Sequence, residues 1–384
     1  MAERRFFGTD GVRGPAGTFL TAELAQRLGK AAALETGAQR PQVLIIRDTR
    51  ESGPMLESGL ASGIASAGGD VFLGGVLPTP AASILTRHFN FDAAAMISAS
   101  HNSYADNGVK FFDAAGNKLD DEAEARIESR LDEPTGETIG RVRPLENALD
   151  DYMRELRTSF PIDLSGSKVL LDCAHGATYR AAPAIFSELG AEVIAVATEP
   201  DGRNINAGVG STHIEKLAPQ MTESGADVGF AFDGDGDRML AIDRSGRVHD
   251  GDDLLGLIAH HLKAEGELEG GVAVTVMSNY GFHQAMQEAG IETATTAVGD
   301  RYVLEALREK GWSLGGEQAG HIIWSDYVPT GDGIGAALLT MRALAGRDLA
   351  EAVPFEKLPQ QRSEERRVGK ECAITCRSRW SPYH

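Results

Sequence analysis

The sequence predicts an α/β fold of three consecutive domains with mixed, parallel-rich sheets. Short apolar runs rich in β-branched residues alternate with amphipathic stretches, the order that gives parallel strands joined by helices. The chain has 384 residues, of which 42% are hydrophobic, enough for the buried cores of about two to four ordinary domains. Three blocks of roughly 100–150 residues match the usual domain size.

Strands and helices are assigned from periodicity and from capping residues. The predicted strands are Val43–Ile46, Val71–Leu73, Ala93–Ile97, Lys168–Leu171, Glu192–Val196, Val228–Ala231, Val272–Met277 and His321–Trp324. The predicted helices are Ala22–Leu34, Met55–Ala67, Tyr179–Leu189, Ile214–Met221, Asp253–Leu262, Arg301–Glu309 and Ile334–Leu344. Thr21 precedes the first helix, and Gly68, Gly190 and Gly290 follow later ones, as caps should.

Breaks in the pattern divide the chain. The polar segment 132–144 predicts a surface connection and a boundary near residue 150, and a second boundary is predicted near 250, where residues 249–253 open a new helix. The predicted domains are therefore residues 1–150, 151–252 and 253–361. Residues 362–384 carry six Lys or Arg against three Glu and show no periodicity. They are either a basic interaction arm or, as we expect, a disordered remnant of foreign sequence.

Charge and cysteine content exclude several classes of protein. The formal net charge of −19 disfavours a nucleic-acid or anionic-membrane surface. No apolar stretch approaches the length of a membrane span and the N-terminus has no apolar signal core, so we expect a cytoplasmic protein. The three cysteines, Cys173, Cys372 and Cys376, form neither a disulfide framework nor a zinc site.

The segment Phe232–Arg238 reads F-D-G-D-G-D-R directly after a buried-strand pattern. Three carboxylates separated by glycines can converge on a hard cation such as Mg²⁺. The alternative is a solvated acidic turn. A calcium-binding EF-hand would require Gly at position 238 and Glu at position 244, where this chain has Arg238 and Arg244.

A second chemical segment, I-S-A-S-H-N at residues 97–102, follows the predicted strand Ala93–Ile97. Ser100 lies where a strand gives way to a loop, a usual position for a reactive side chain. It would need a base to act as a nucleophile, or it could carry a phosphoryl group. A phosphoserine oxygen could complete the coordination of the cation. The alternative is a helix-capping serine beside a structural His101.

Three further loops carry weaker signals. In residues 106–110, D-N-G-V-K, the Asn-Gly pair predicts a turn that directs Lys110 back toward the serine loop, although a lysine after a turn is more often solvated. Glycines around Arg13 in residues 7–14 can form an anion site or a flexible terminal loop. Residues 315–321 place Glu317 between glycines, suited to sugar hydroxyls, near His321. Residues 331–335 lack the spacing and preceding strand of a dinucleotide loop, so we expect no nicotinamide cofactor.

Together these segments resemble the α-D-phosphohexomutase superfamily, most closely its bacterial phosphoglucosamine mutase branch. The resemblance spans about residues 4–360. Its motifs are F-G-T-D-G-V-R-G at 7–14, I-S-A-S-H-N at 97–102, D-N-G-V-K at 106–110, D-G-D-G-D-R at 233–238, V-G-D-R-Y at 298–302 and G-E-Q-A-G-H at 316–321.

The resemblance implies three α/β domains around a central cleft and an isomerase that converts glucosamine 6-phosphate to glucosamine 1-phosphate through a bisphosphate, for UDP-N-acetylglucosamine synthesis. It implies one Mg²⁺ per active site and a required phosphorylation of Ser100. The implied metal ligands are Ser100, Asp233, Asp235 and Asp237. The implied catalytic residues are Ser100, Arg13, His101 and Lys110, with His101, Lys110 and His321 as unranked proton carriers. The implied substrate contacts are Arg238, Asp300, Arg301, Glu317 and His321.

Alternatives remain at this stage. Sugar preference could be that of the phosphoglucomutase or phosphomannomutase branches, a homodimer is an open expectation, and a phosphatase would also use acidic loops and Mg²⁺. Members of the superfamily continue into a fourth domain that grips the non-reacting phosphate, and nothing after Gln361 resembles it. We therefore expect this chain to be impaired, or to be a remnant that only binds sugar phosphates.

Overall fold

The computed structural model describes residues 5–8, 10–134 and 138–360. Over these residues it confirms an α/β fold with three successive mixed sheets. The predicted tail, with Cys372 and Cys376, lies outside the described residues, whereas Cys173 is buried as a free thiol. None of the described helices is both long and apolar enough to cross a membrane.

The first sheet has six strands in the order β1-β5-β4-β2-β3-β6. These are β1 Val12–Pro15, β2 Gln42–Arg47, β3 Asp70–Val76, β4 Ala93–Ile97, β5 Asp106–Asp113 and β6 Val142–Pro144. Its helices are α1 Ala22–Glu35, α2 Gly53–Ser66, α3 Thr79–Phe89 and α4 Asp121–Ser129. Strand β5 pairs antiparallel with both β1 and β4, while β2 is parallel to β3 and β4.

The prediction of a turn at Asn107–Gly108 is wrong, because both residues lie within β5. The glycine is needed for close approach instead: a Cβ on Gly108 would lie 2.4 Å from the carbonyl oxygen of Ser98. The strand, rather than a turn, therefore carries Lys110 alongside the serine loop.

The second sheet has five strands in the order β11-β10-β9-β7-β8. These are β7 Lys168–Asp172, β8 Glu192–Val196, β9 Val228–Phe232, β10 Met239–Asp243 and β11 Val248–His249. The helices are α5 Ala148–Ser159, α6 Ala181–Glu188 and α7 Ala218–Ser224, with a 3₁₀ helix at Ser211–Leu217. Antiparallel pairing of β9 with β10 makes residues 233–238 the loop of a hairpin.

The third sheet has four strands in the order β13-β12-β14-β15. These are β12 Val272–Thr275, β13 Thr293–Thr296, β14 Leu314–Gly316 and β15 Ile322–Trp324. The helices are α8 Gly251–Glu265, α9 Tyr280–Glu288, α10 Asp300–Lys310, α11 Gly333–Leu344 and α12 Leu349–Ala352. One large apolar core contains residues of all three sheets, among them Leu44, Phe230 and Leu314. The three domains therefore pack as one body around the loops at the strand ends.

Candidate active site

Ser100 lies three residues beyond the end of β4 and is only 2% exposed. Its φ of 52° falls in the left-handed region that non-glycine residues seldom adopt. The Ser100 Oγ donates a hydrogen bond of 2.5 Å to Asp233 Oδ2 and lies 3.4 Å from His101 Nδ1. The structure thus joins two loops that are 133 residues apart in sequence.

Asp233, Asp235 and Asp237 form a buried triad on the hairpin between β9 and β10. One carboxylate oxygen from each lies within 4.8 Å of the others. The Oδ1 atoms of Asp235 and Asp237 are buried without a hydrogen-bond partner among the described residues. Buried oxygens are almost always satisfied, so these two, with an adjacent Ser100 oxygen, fit the oxygen-rich shell of a hard divalent cation.

Burial and mutual repulsion act differently on the three carboxyls. For Asp233, burial and the charges of the other two aspartates hold the pKa well above its usual value. Burial also opposes ionisation of Asp235 and Asp237, but Lys110 together with other nearby cationic groups lowers the pKa of both. Two carboxylates are therefore kept ionised by protein cations, and the third, Asp233, accepts a hydrogen bond from the Ser100 hydroxyl.

Two lysines and an arginine surround the triad. The Nζ of Lys110 lies 2.9 Å from Asp235 Oδ2, 3.2 Å from Asp10 Oδ2 and 3.8 Å from Asp237 Oδ2. Lys118 lies 3.4 Å from Asp10 and 3.9 Å from Asp237. Burial would raise the pKa of Asp10, but Lys110, Lys118 and Arg13 lower it strongly. The centre is thus a compact network of opposite charges rather than an exposed acidic patch.

The predicted residues Arg13 and Arg238 flank this network. The Arg13 side chain pairs with Asp10, and its guanidinium reaches the carbonyl oxygen of Ala99 at 3.4 Å. Arg238 Nε lies 3.9 Å from Asp237 Oδ1. Both guanidinium groups therefore lie beside the serine and aspartate loops, where they add positive charge.

The third domain brings His321 and Asp300 to the same centre. His321 Nε2 accepts a 3.0 Å hydrogen bond from the Gly331 N–H, so the ring proton sits on Nδ1, 3.8 Å from Asp237 Oδ2. Asp300 lies 3.6 Å from His321 Nε2 and pairs with Lys118. These contacts connect the loop at 316–321 of the third domain to the aspartate hairpin.

Glu317 and Arg301 lie farther from the triad. Glu317 Oε1 accepts a 3.0 Å hydrogen bond from the Gly299 N–H, which joins the loop at 316–321 to the loop at 298–302. Arg301 is turned toward the first domain, where it pairs with Asp121. In this conformation Arg301 therefore links two domains.

Backbone hydrogen bonds fasten the third domain to the aspartate hairpin. The Met239 N–H donates to the Gly320 carbonyl at 3.0 Å, and the Gly333 N–H donates to the Gly236 carbonyl at 2.9 Å. The middle of the hairpin loop, at Gly236, and the first residue after it, Met239, are thus attached to loops of the third domain.

Sequence reasoning missed Asp10, Lys118 and Thr79. Thr79 begins α3, and both its hydroxyl and its N–H donate to Asp235, at 2.8 Å to the carboxylate and 2.8 Å to the carbonyl. Asp10 lies inside the glycine-rich segment at 7–14, which was a usable signal. Lys118 and Thr79 stand in no chemical motif, and only the tertiary structure reveals them.

Comparison with known proteins gives consistent matches along the chain. Three profiles of the phosphoglucomutase/phosphomannomutase family match: alpha/beta/alpha domain I over residues 4–137, domain II over 150–246 and domain III over 250–358. A phosphoglucosamine mutase of Azoarcus is 49% identical over 361 residues, covering 90% of this chain and 80% of the relative. That of Renibacterium salmoninarum is 50% identical over 370 residues, covering 93% and 82%.

Solved structures agree on the fold. A phosphoglucomutase/phosphomannomutase family protein of Burkholderia thailandensis superposes with a TM-score of 0.80 at 28% identity, covering 91% of this chain and 78% of that one. An N-acetylphosphoglucosamine mutase of Aspergillus fumigatus, solved with GlcNAc-6P and magnesium, superposes with a TM-score of 0.63 at 16% identity, covering 93% and 81%. The second likeness extends to the fold alone.

Proposed function

The chain belongs to the phosphoglucomutase/phosphomannomutase family of α-D-phosphohexomutases, and from that premise we propose that it works as a phosphoglucosamine mutase. It is an isomerase that interconverts glucosamine 6-phosphate and glucosamine 1-phosphate. One observation carries the proposal: in a chain about half identical to phosphoglucosamine mutases, Ser100 Oγ lies 2.5 Å from a buried aspartate triad.

Ser100 is proposed to carry the phosphoryl group. When phosphoserine donates to a sugar phosphate, the bond from phosphorus to the serine oxygen breaks, and a bond from phosphorus to the sugar hydroxyl oxygen forms. The sugar hydroxyl gives its proton to a protein base, the leaving serine oxygen takes up a proton to become the hydroxyl again, and the product is a sugar bisphosphate. After the bisphosphate reorients, its other phosphoryl group returns to Ser100. Such transfers depend mainly on positioning and charge neutralisation.

The cations around Ser100 supply that neutralisation. Lys110 is buried between Asp10 and Asp235, and Arg13 and Arg238 lie at the edges of the same centre. Preorganised positive charge stabilises the negative charge of the transferring group without reorganisation. The proposed proton carriers are His101, Lys110 and His321, and the 3.4 Å distance from His101 Nδ1 to Ser100 Oγ supports the choice of His101.

Asp233, Asp235 and Asp237 would hold one Mg²⁺, with an oxygen of phosphorylated Ser100 as a further ligand. The two partnerless oxygens in the triad support this assignment. A bound Mg²⁺ supplies Lewis-acid stabilisation of phosphoryl oxygens. The protein's own contribution is to keep the Asp235 carboxylate ionised through Lys110 and fixed through Thr79.

Substrate recognition is assigned to Glu317, Asp300, Arg301 and His321, with Arg238 near the phosphate. Glu317 supports this role because its backbone segment lies between glycines and its carboxylate is tied to the loop at 298–302. As parts of the same proposal, the enzyme works in the cytoplasm on a sugar phosphate, with a homodimer as the assembly to test. Phosphorylation of Ser100 is required for turnover.

The test is direct. Incubation with glucose 1,6-bisphosphate should add one phosphoryl group to the wild-type protein and none to Ser100→Ala, as read by intact-mass spectrometry. A coupled assay should then detect glucosamine 1-phosphate formed from glucosamine 6-phosphate. Release of inorganic phosphate faster than isomerisation would identify a phosphatase instead. A higher kcat/KM on glucose or mannose phosphates would move the protein to another branch of the family.

A further inference from the structure

Arg50, in the loop that follows β2, has a side chain with no exposure to solvent. Its guanidinium donates to backbone carbonyls throughout the serine loop. The distances are 2.9 Å to Ser100 O, 2.9 Å to Asn102 O and 3.0 Å to Asp106 O, and a further bond goes to Ser103 O. A single buried side chain thus binds four carbonyls within seven residues of the loop that carries Ser100.

Asp48 completes the arrangement from the same loop. Its Oδ2 accepts from Arg50 Nε at 2.8 Å and from Ser98 Oγ at 2.6 Å, and its Oδ1 accepts from the Arg50 N–H at 3.0 Å. The Ser98 Oγ in turn accepts from the Ser100 N–H at 2.9 Å. Both the amide and the carbonyl of Ser100 are therefore held by one buried ion pair.

The second domain reaches the same carbonyls. Asn206 Nδ2 donates to Ser100 O at 2.9 Å and to Asn102 O at 3.0 Å. We name Asp48, Arg50 and Asn206 the carbonyl clamp. While the clamp holds the Ser100 backbone, the Ser100 Oγ reaches Asp233.

The geometry of Ser100 explains why a clamp is needed. Its φ of 52° is disfavoured for residues with a side chain, and such conformations persist only when the surroundings impose them. A buried ion pair is itself a poor source of stability, since desolvation offsets much of the attraction. The Asp48–Arg50 pair is fully buried, and nearly all its hydrogen-bond donors bind one strained loop. We therefore explain the pair by its effect on the conformation of that loop rather than by its effect on overall stability.

We propose that the carbonyl clamp, with Arg50 at its centre, is a positioning device that holds Ser100 Oγ in line for phosphoryl transfer. None of its three side chains need touch the substrate. The inference rests on the proposed function, because it concerns the phosphoryl group that Ser100 carries. It assigns a role in catalysis to residues outside all the chemical motifs of the sequence.

Arg50→Lys is the sharpest test. Lysine keeps the charge opposite Asp48, but its three donors on one nitrogen cannot span four carbonyls and a carboxylate. Arg40→Lys is the control, because Arg40 pairs with Asp70 at 3.0 Å and contacts neither the clamp nor the serine loop among the described residues. The measurements are the rate of Ser100 phosphorylation by glucose 1,6-bisphosphate, the KM for that donor, the Mg²⁺ affinity and the Tm.

We expect Arg50→Lys to phosphorylate Ser100 about 100-fold more slowly, as a misplacement near 1 Å can cause, with unchanged KM and Mg²⁺ affinity in the folded protein. Arg40→Lys should keep the wild-type rate. Asn206→Ala, at a position 9% exposed, removes the clamp's contact from the second domain without a buried charge and should slow the step by about 10-fold. If Arg50→Lys does not fold, the phosphorylation rate of Asn206→Ala tests the clamp instead.

A wild-type phosphorylation rate in folded Arg50→Lys, or in Asn206→Ala when Arg50→Lys is unfolded, would overturn the clamp alone. A fall in Mg²⁺ affinity that accounts for the whole rate loss would also overturn it. If the wild-type protein takes no phosphoryl group on Ser100, the proposed function fails first and the clamp fails with it.

Discussion

The two sides of the cleft are built differently. On the reacting side, Lys110 and Asp235 pair with side chains that are 2% and 0% exposed. On the third-domain side, Lys118 pairs with Asp300 at 19% and 21% exposure, and Arg301 with Asp121 at 25% and 46%. Screening weakens exposed pairs far more than buried ones. The reacting centre is therefore held by more deeply buried ion pairs than those that join the third domain to the first.

The largest expected effect comes from Ser100→Ala on the reacting side. Without the hydroxyl there is no phosphoryl carrier, so turnover should fall by ~10⁴-fold or more, while Tm stays near wild type. Ser103→Ala, in the same loop but with an exposed side chain, is the control and should remain active. Residual turnover above a tenth of wild type in Ser100→Ala would show that another group carries the phosphoryl.

The second-largest effect on turnover is expected from weakening or removing the bound cation. Asp237→Asn deletes one charge of the triad, and we expect weaker Mg²⁺ binding by calorimetry and a kcat lower by about 10²–10³-fold. Treatment of the wild type with EDTA should abolish turnover, and added Mg²⁺ should restore it. Asp227→Asn, whose side chain pairs with Arg244 at the surface, should behave as wild type. Full activity in EDTA would refute the metal assignment.

The buried carboxyl of Asp332 makes the free energy of unfolding depend on pH. It caps α11 and accepts from the hydroxyls of Tyr152 and Tyr327 at 2.9 Å and 2.8 Å. Burial raises the pKa of Asp332 from 3.8 to about 6. Because the unfolded chain releases this proton first, the free energy of unfolding should fall by about 3 kcal/mol as pH rises from 4 to 6, and level off above that range.

Urea unfolding at several pH values measures this slope. Asp332→Asn should reduce the fall in unfolding free energy by the Asp332 contribution, since asparagine does not titrate. Tyr327→Phe should extend the Asp332 contribution to higher pH, because the Tyr327 hydrogen bond lowers the pKa of Asp332 and its loss raises that pKa further. An unchanged slope in Asp332→Asn would assign the pH dependence to other groups.

The smallest effect is expected at the exposed interdomain pair. Asp121→Asn removes the partner of Arg301 and should raise KM for the sugar phosphate by about 2–5-fold, the range of an exposed ion pair, with little change in kcat. High salt should shrink the difference from wild type. Arg126→Ala, which breaks an ion pair with Glu35 inside the first domain, controls for general charge effects. A change confined to kcat would contradict a role in closure.

Much of the fold could be predicted because strong apolar runs became the central strands, including β2, β4, β7 and β9. Strands β1, β6 and β11 were missed because they are short and lie at sheet edges, where packing imposes little pattern. Strand β14 was missed because two of its three residues are glycine. In β5, the Asn-Gly pair predicted a turn because of its turn propensity. Its conformation is instead determined by the strands β1 and β4, which pair with β5 on either side.

The site residues likewise fall into those that local sequence predicts and those that only tertiary contacts reveal. Ser100 and the triad stand in local motifs whose chemistry is readable in sequence. Thr79, Lys118 and Arg50 act through contacts with residues 156, 119 and 50 positions away, respectively. No local pattern encodes such contacts, because they exist only once three sheets have packed together. The direction of Arg301 was equally unreadable, since it depends on where α4 lies.

If the proposed function holds, the backbone hydrogen bonds that join Gly320 and Gly333 to the aspartate hairpin couple the sugar loop to the metal loop. A sugar that displaced the loop at 316–321 would then move the peptide units beside the three carboxylates. A manganese ion substituted there would report this in its magnetic resonance spectrum. Occupancy of the sugar pocket could then be followed spectroscopically, without any label on the substrate and before any bond is made or broken.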